Sequence, residues 1–233
     1  MTIAAPLIIF DLDGTLVDSN RDLIPALNMA TEPEGLPPIS MEDVGHVVGK
    51  GAMQMIERAF AFYNRELEVN GDVHKTVFAR FLQRYEDHIA DNTVFFPGAV
   101  SALRSLTNAG YRHAVCTNKF EQLAQKLLHE LGETEHFEVV TGGDTFPVKK
   151  PDPTHLTETA RLAGFPTDRC IMVGDSINDI VAAQQGNIPV IAVDFGYTDV
   201  PVSQLSPDLI ISHFDELPDA VRQLHDLIDS RSN

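Results

Sequence analysis

The sequence predicts an α/β fold in which a parallel sheet is covered by helices and interrupted by an inserted, all-helical segment. The run Leu7 to Phe10 is short, continuous and apolar, which is typical of a strand buried on both faces. From about residue 98 onward, strand and helix patterns alternate, as expected for a parallel sheet with helices on both faces. Residues 20 to 91 break this alternation and show helical patterns without a convincing strand.

The alternation after residue 98 can be followed element by element. Helices are predicted where apolar residues recur at helical spacing, and the first three of them stop at a glycine: residues 100–109, 123–131, 156–163, 177–185 and 217–228. Strands are predicted at the short apolar runs between them, namely residues 113–116, 137–140, 170–173, 188–193 and 209–211.

The inserted segment is predicted to pack as a helical unit of its own. Val73, Val77, Phe81 and Tyr85 recur every fourth residue, and such a stripe favours core packing. Pro25 lies inside the first helical pattern and should kink or end that helix. The predicted boundaries make residues 1–19 and 92–233 one discontinuous core domain and residues 20–91 the insertion.

Composition excludes several classes of partner. The net charge is −17, from 17 Lys and Arg against 34 Asp and Glu. Binding to nucleic acid or to an anionic membrane needs clustered basic residues, which this chain lacks. Two cysteines suit reduced core thiols rather than a disulfide framework. We therefore expect a cytoplasmic protein, monomeric or homodimeric, that acts on a small molecule.

Two acidic residues follow the first predicted strand directly. Asp11 and Asp13 stand in the run Asp-Leu-Asp-Gly-Thr, and ligands of open parallel sheets bind beyond the carboxyl ends of the strands. Gly14 permits a sharp turn whose backbone N–H groups can point at an anion. An Asp-Gly turn can also be purely structural, so this run alone does not decide the chemistry.

A second pair of acids follows the strand at residues 170–173. Asp175 and Asp179 stand in Gly-Asp-Ser-Ile-Asn-Asp, and Asp179 would fall in the first turn of the next helix, where negative charge is favoured. Helix capping explains one acid but not four acids at the ends of two buried strands, which would repel one another without a cation. Oxygen ligands indicate a hard cation such as Mg²⁺.

Groups suited to holding a phosphate follow two further elements. Thr117 and Asn118 come after the strand at residues 113–116 and offer a hydroxyl and an amide. Lys150 lies between a predicted strand and a helix. Each signal is weak by itself, but a parallel sheet would bring all of them beside the acids.

The segments DLDGTLVDS, CTNK, KKPDP and GDSINDI match, in order, the motifs of haloacid dehalogenase superfamily phosphatases, which the chain resembles over nearly its full length. The stretches GGDTFPVKKPDP, FFPG and VGKGA are similar to the phosphoglycolate phosphatase group within that superfamily. The resemblance implies a Rossmann-like catalytic core, a helical cap at residues 20–91 and hydrolysis of a small phosphate monoester, with 2-phosphoglycolate as the first candidate.

The resemblance also implies roles for the four acids. Asp11 matches the nucleophile that forms an aspartyl-phosphate. Asp13 matches the general acid that protonates the leaving oxygen and then activates water. Mg²⁺ would be held by the Asp11 side chain, the Asp13 backbone carbonyl and Asp175, with Asp179 as a supporting acid.

The substrate-binding groups follow from the same resemblance. Thr117, Asn118, Lys150 and the Gly14 backbone N–H would hold the phosphoryl oxygens, and the cap would close over the site and read the leaving group. Lys50, in the loop VGKGA, would pair with a substrate carboxylate. A solvent-facing lysine between two turn glycines is an equal interpretation of Lys50.

Other activities remain open on the same scaffold. A sugar-phosphate mutase, or a phosphatase of another small metabolite, would keep all of these motifs. A phosphonate hydrolase or a haloacid dehalogenase would lack the second aspartate, and Asp13 is present. A non-catalytic phosphate-binding module could lose Asp11 or Asp13 without cost, yet both are intact.

Overall fold

The computed structural model describes residues 5–48, 51–198 and 200–231, and the chain divides into two compact units. Met1–Val17 and Phe95–Asn233 form the first, which we call the sheet unit, and Asp18–Val94 forms the second, which we call the helical unit. The sequence predicted the insertion at residues 20–91. The helical unit is slightly longer than that prediction at both ends.

The described residues contain eight strands and eight α-helices. In chain order the strands are β1 Leu7–Phe10, β2 Val17–Asp18, β3 Val94–Phe95, β4 Arg112–Cys116, β5 Val139–Thr141, β6 Cys170–Gly174, β7 Val190–Val193 and β8 Leu209–Ile211. The helices are α1 Asn20–Thr31, α2 Ala52–Phe62, α3 Asp72–Asp87, α4 Ala99–Asn108, α5 Glu121–Glu130, α6 Pro153–Leu162, α7 Ile177–Gln185 and α8 Leu217–Arg231.

The sheet unit is built on six parallel strands in the order β5-β4-β1-β6-β7-β8. Strand β1 lies in the middle and is fully buried, as its apolar sequence predicts. Its residue Phe10 faces Val115 of β4 on one side and Val173 of β6 on the other. The predicted fold class, an α/β core with a parallel sheet, is confirmed.

Helices cover the sheet because its strands are apolar on both faces. Alternate strand residues such as Ile9 and Met172 pack with Leu156 of α6 and Ile180 of α7 in one buried cluster. Helices α4 and α8 lie outside that cluster and contact each other and the strands β4 and β8. Full burial of one such side chain stabilises the fold by roughly 1.5–3 kcal/mol.

The helical unit is held together mainly through α3, which packs against both α1 and α2. Val77, Phe81 and Tyr85 of the predicted stripe are buried, whereas Val73 is exposed. Helix α1 does not end at Pro25 but continues through it. In that second turn, proline removes only one backbone N–H from the helix ladder.

One buried carboxylate joins the start of the helical unit to its end. The Asp22 Oδ2 atom accepts hydrogen bonds from the Asn92 N–H at 2.9 Å, the Thr93 N–H at 2.7 Å and the Thr93 hydroxyl at 2.7 Å. The Asp22 Oδ1 atom accepts from the Asn92 side-chain amide at 2.9 Å. Because these donors lie about seventy residues further along the chain, Asp22 ties the two ends of the unit together.

The two cysteines, Cys116 and Cys170, are free and fully buried in the sheet. Over the described ranges, no helix has both the length and the apolar character needed to cross a bilayer.

Candidate active site

Three adjacent strands end at one edge of the sheet, and each is followed there by a polar side chain. Asp11 follows β1, Thr117 follows β4 and Asp175 follows β6. The sheet extends from β1 in both directions, through β4 on one side and β6 on the other. Such a switch in strand order opens the crevice in which α/β proteins bind ligands.

Three carboxylates meet in this crevice and form what we call the acidic cluster. One oxygen each of Asp11, Asp175 and Asp179 lies within 4.8 Å of the others, and all three residues are buried. The Asp11 N–H donates to the Val173 carbonyl at 2.9 Å, which fixes the backbone of Asp11 as a continuation of the sheet. The sequence prediction that acids from β1 and β6 converge therefore agrees with this geometry.

Asp175 is held by donors from two other parts of the chain. The Thr15 hydroxyl donates to its Oδ1 at 3.0 Å, and the Tyr197 backbone N–H donates to its Oδ2 at 2.7 Å. Gly196 makes this approach possible, because a Cβ there would lie 2.2 Å from the Asp175 Cβ. These two hydrogen bonds hold the Asp175 side chain in one orientation.

Asp179 is positioned by the start of helix α7. Its Oδ2 accepts from the Ser176 N–H at 3.0 Å and from the Ser176 hydroxyl at 2.6 Å, and the two residues form a capping box. The helix N-terminus favours this negative charge. Its other oxygen, Oδ1, is left to face Lys150.

Lys150 brings a buried positive charge to the acidic cluster. Its Nζ lies 2.9 Å from Asp11 Oδ1, and it donates to Asp179 Oδ1 and to the Cys116 carbonyl, both at 2.6 Å. Burial by itself lowers the pKa of Lys150, but the Asp11 and Asp179 carboxylates outweigh it, so the pKa rises above its ordinary 10.5. Lys150 is therefore charged, and its ammonium forms two hydrogen bonds and one ion pair with these three acceptors.

One lysine does not neutralise three carboxylates. Burial raises the pKa of Asp11 to about 6, and Asp179 adds to the rise while Lys150 opposes it. Burial, then the Asp179 and Asp11 charges, raise the pKa of Asp175 well above 3.8. A hard divalent cation among these oxygens would relieve the repulsion, so the donor set fits such a metal.

The Asp13 side chain pairs with a second lysine and is not one of the three carboxylates of the acidic cluster. The Lys119 Nζ donates to Asp13 Oδ1 at 2.9 Å and to Asp13 Oδ2 at 3.0 Å. The use of the Asp13 backbone carbonyl as a metal ligand stays a prediction. The Asp13 side chain is free of that task and is a candidate proton donor.

The loop after β4 places Thr117 and Asn118 at the same edge. The Thr117 N–H donates to the Thr141 carbonyl at 3.0 Å, and its hydroxyl accepts from the Lys119 N–H at 3.2 Å. The Asn118 amide donates to the Lys150 carbonyl at 2.9 Å, so Asn118 fixes the loop that carries Lys150. Its Oδ1 is buried and has no hydrogen-bond partner among the described residues.

Gly14 is needed for its conformation. Its φ is +86°, and a Cβ there would lie 2.6 Å from Asp175 Oδ2 and 2.9 Å from the Tyr197 ring, so a side chain is excluded. The Gly14 N–H donates to the Val17 carbonyl at 3.0 Å. A phosphoryl oxygen would have to displace that bond, and the phosphate role of Gly14 stays a prediction.

Lys50, the predicted reader of the substrate carboxylate, lies outside the described residues. Sequence reasoning assigned no role to Thr15, Lys119 or Tyr197. Thr15 and Lys119 stand inside the motif segments DLDGT and CTNK, so a signal for them was present. Tyr197 acts through its backbone N–H, which almost any residue supplies, so its identity gave no signal.

Comparisons with known proteins agree with this geometry. A family model described as haloacid dehalogenase-like hydrolase matches residues 8–193. A phosphoglycolate phosphatase from Agrobacterium fabrum is 46% identical over 217 residues, which is 93% of this chain and 92% of that protein. One from Caulobacter vibrioides is 40% identical over 213 residues, or 91% and 89% of the two chains.

A solved structure supports the same comparison. The crystal structure of a predicted phosphoglycolate phosphatase from Haemophilus somnus superposes with a TM-score of 0.86 at 31% identity, covering 94% of this chain and 99% of that one. Its similarity extends to both the fold and the sequence.

Proposed function

Because the chain belongs to the haloacid dehalogenase-like hydrolase family, we propose that it is a phosphatase acting on a small phosphate monoester, 2-phosphoglycolate first. The observation that carries the proposal is the buried acidic cluster with Lys150 bound between Asp11 and Asp179. The names of the similar phosphoglycolate phosphatases support the choice of substrate.

Asp11 is the proposed nucleophile. Its backbone is fixed by the bond to Val173 and one of its oxygens by Lys150, so the carboxylate does not need to be reoriented before it reacts. An Asp11 oxygen attacks phosphorus as the bond from phosphorus to the ester oxygen breaks, and an aspartyl-phosphate forms.

Asp13 is the proposed general acid and base. In its protonated form it gives a proton to the departing ester oxygen, and the resulting carboxylate then takes a proton from the water that attacks the aspartyl-phosphate. That second attack releases inorganic phosphate and restores the Asp11 carboxylate. The separation of Asp13 from the acidic cluster supports this division of work between the two aspartates.

Mg²⁺ is the proposed metal, held by the Asp11 carboxylate, the Asp13 backbone carbonyl and Asp175, with Asp179 in support. When bound, it supplies positive charge that offsets the repulsion between an anionic substrate and the carboxylates. Thr15 and the Tyr197 N–H keep Asp175 oriented toward the cluster.

We propose that the phosphoryl oxygens are bound by four groups: Thr117, Asn118, Lys150 and the Gly14 N–H. Lys150 has the firmest support, because its ammonium already lies against Asp11 and would stabilise charge on the transferring group. We also propose that the helical unit serves as a cap and that Lys50 reads the substrate carboxylate. If Lys50→Ala leaves the KM for 2-phosphoglycolate unchanged, Lys50 has no such role.

The net charge of −17 supports a protein that stays dispersed by self-repulsion. We place it in the cytoplasm, as a monomer or homodimer, acting on a metabolite rather than on nucleic acid. Light scattering of the purified protein measures its oligomeric state.

The test is phosphate release from 2-phosphoglycolate and a panel of small esters, with Mg²⁺ and with excess EDTA. We expect Mg²⁺-dependent release that Asp11→Asn abolishes and Asp168→Asn leaves unchanged, since Asp168 is exposed and precedes β6 at the opposite end of the strand. An Asp11→Asn enzyme with full activity would refute the nucleophile. An isomerised phosphate ester in place of free phosphate would indicate a mutase.

A further inference from the structure

Lys119 is a second cation at the edge of the site, with a largely covered side chain, and the steps above give it no role. Its side chain is only 6% exposed, while that of Asp13 is 20% exposed. The Lys119 ammonium lies within 3.0 Å of both Asp13 oxygens. Substrate that reaches Asp13 therefore meets Lys119 as well.

The backbone of Lys119 is fixed on both sides of its side chain. Its N–H donates to the Thr117 hydroxyl at 3.2 Å, and its carbonyl accepts from the Gly143 N–H at 2.8 Å. A Cβ on Gly143 would lie 2.6 Å from the Asn118 carbonyl oxygen, so the two loops fit closely. This support gives Lys119 the preorganisation expected of a binding residue.

Once Lys150 holds a phosphoryl oxygen, as proposed above, it has no donor left for a second anionic group of the substrate. Its ammonium already serves Asp11, Asp179 and the Cys116 carbonyl, and an ammonium has three N–H donors. Its charge is also balanced by two carboxylates. A carboxylate on the leaving group needs a different cation.

The chemistry of the leaving group points to Lys119. Asp13 protonates the ester oxygen, and in 2-phosphoglycolate the carbon bonded to that oxygen also carries the carboxylate. A carboxylate so close to the ester oxygen falls within reach of an ammonium that contacts Asp13. Exchanging one Asp13 contact for a substrate oxygen would keep the Lys119 ammonium paired.

We propose that Lys119 binds the carboxylate of the substrate and so determines specificity for phosphorylated 2-hydroxy acids, an inference that rests on the proposed function. The wild-type protein should prefer 2-phosphoglycolate to ethyl phosphate, which has the same carbon count but no carboxylate. The measured quantity is the ratio of kcat/KM for these two substrates.

The variants are Lys119→Met, which removes the charge at similar length, and Lys119→Arg, which keeps it. We expect Lys119→Met to lower the ratio about 10- to 100-fold, the effect of losing a charge-assisted hydrogen bond. Lys119→Arg should retain more of the ratio than Lys119→Met. Lys75→Met, at an exposed position of α3, should leave the ratio unchanged.

The outcomes separate three cases. A selective loss for 2-phosphoglycolate supports the proposal. An equal loss for both substrates overturns it and makes Lys119 a positioning residue for Asp13. A wild-type protein with no preference for 2-phosphoglycolate refutes the proposed substrate, and the role of Lys119 with it. If Lys119→Met does not fold, as judged by circular dichroism, Lys119→Gln provides the same comparison.

Discussion

Removing the charge of the buried residue Lys150 should strongly destabilise the metal-free protein. In Lys150→Met, the Asp11 and Asp179 carboxylates lose an ammonium that lies 2.9 Å and 2.6 Å away. With an effective dielectric constant near 20, each pair represents roughly 6 kcal/mol of Coulombic attraction before desolvation is subtracted. Breaking such a buried pair leaves a net cost of about 3–5 kcal/mol.

The assay is urea unfolding followed by circular dichroism at pH 8, with EDTA and with Mg²⁺. Lys149→Met is the matched control, because Lys149 is the exposed neighbour in the same segment, and it should change the free energy of unfolding by about 0.5 kcal/mol or less. Mg²⁺ should restore part of the stability of Lys150→Met, since a cation again balances the cluster. A loss below about 1 kcal/mol without metal would contradict this electrostatic account.

Two further predictions concern the support of the site and of the helical unit. Gly196→Ala should raise the Mg²⁺ concentration for half-maximal activity about 10- to 100-fold, because the new Cβ would displace Asp175. Gly45→Ala is the control, since a Cβ there meets nothing within 4 Å. An unchanged Mg²⁺ requirement in Gly196→Ala would refute the reasoning. Asp22→Ala should lower the free energy of unfolding by about 3–5 kcal/mol, as for other broken buried networks. Burial raises the pKa of Asp22, but the bonds from Asn92 and Thr93 outweigh it and hold the pKa below 3.8. The stability that Asp22 contributes is therefore complete above pH 3.8 and is lost as the pH falls through the pKa of Asp22 in the folded protein. Asp22→Asn should weaken this loss of stability in acid when the free energy of unfolding is measured against pH. An unaltered pH dependence in Asp22→Asn would contradict the role given to Asp22.

The sheet could be predicted well because its strands are apolar and its helices amphipathic. The predicted bounds of helix 177–185 and strand 209–211 agree with α7 and β8. Helix α6 begins at Pro153, before the predicted start at residue 156, because its first turn lies ahead of the apolar stripe and is capped by Asp152. The strand predicted at 137–140 is Val139–Thr141 instead, since hydrophobicity alone does not set hydrogen-bond register.

The site was predictable to the level of which residues meet, but not of how each is held. Asp11 and Asp175 converge because the neighbouring parallel strands β1 and β6 end at the same edge of the sheet, where α/β proteins bind their ligands. The partner of Asp13 could not be predicted, because an extended chain would place Asp11 and Asp13 on the same side. The turn at Gly14 ends that extension, and the Asp13 side chain pairs with Lys119.

The bond from the Tyr197 N–H to Asp175 has a consequence for the order in which the protein matures during synthesis. Asp11 leaves the ribosome early, but the donor that orients Asp175 belongs to the loop after β7. Contacts between residues far apart in the chain cannot form until the later residue has been synthesised, and they slow folding. A nascent chain that stops before residue 197 would carry the proposed nucleophile without the donor that orients Asp175, and we expect it to be inactive.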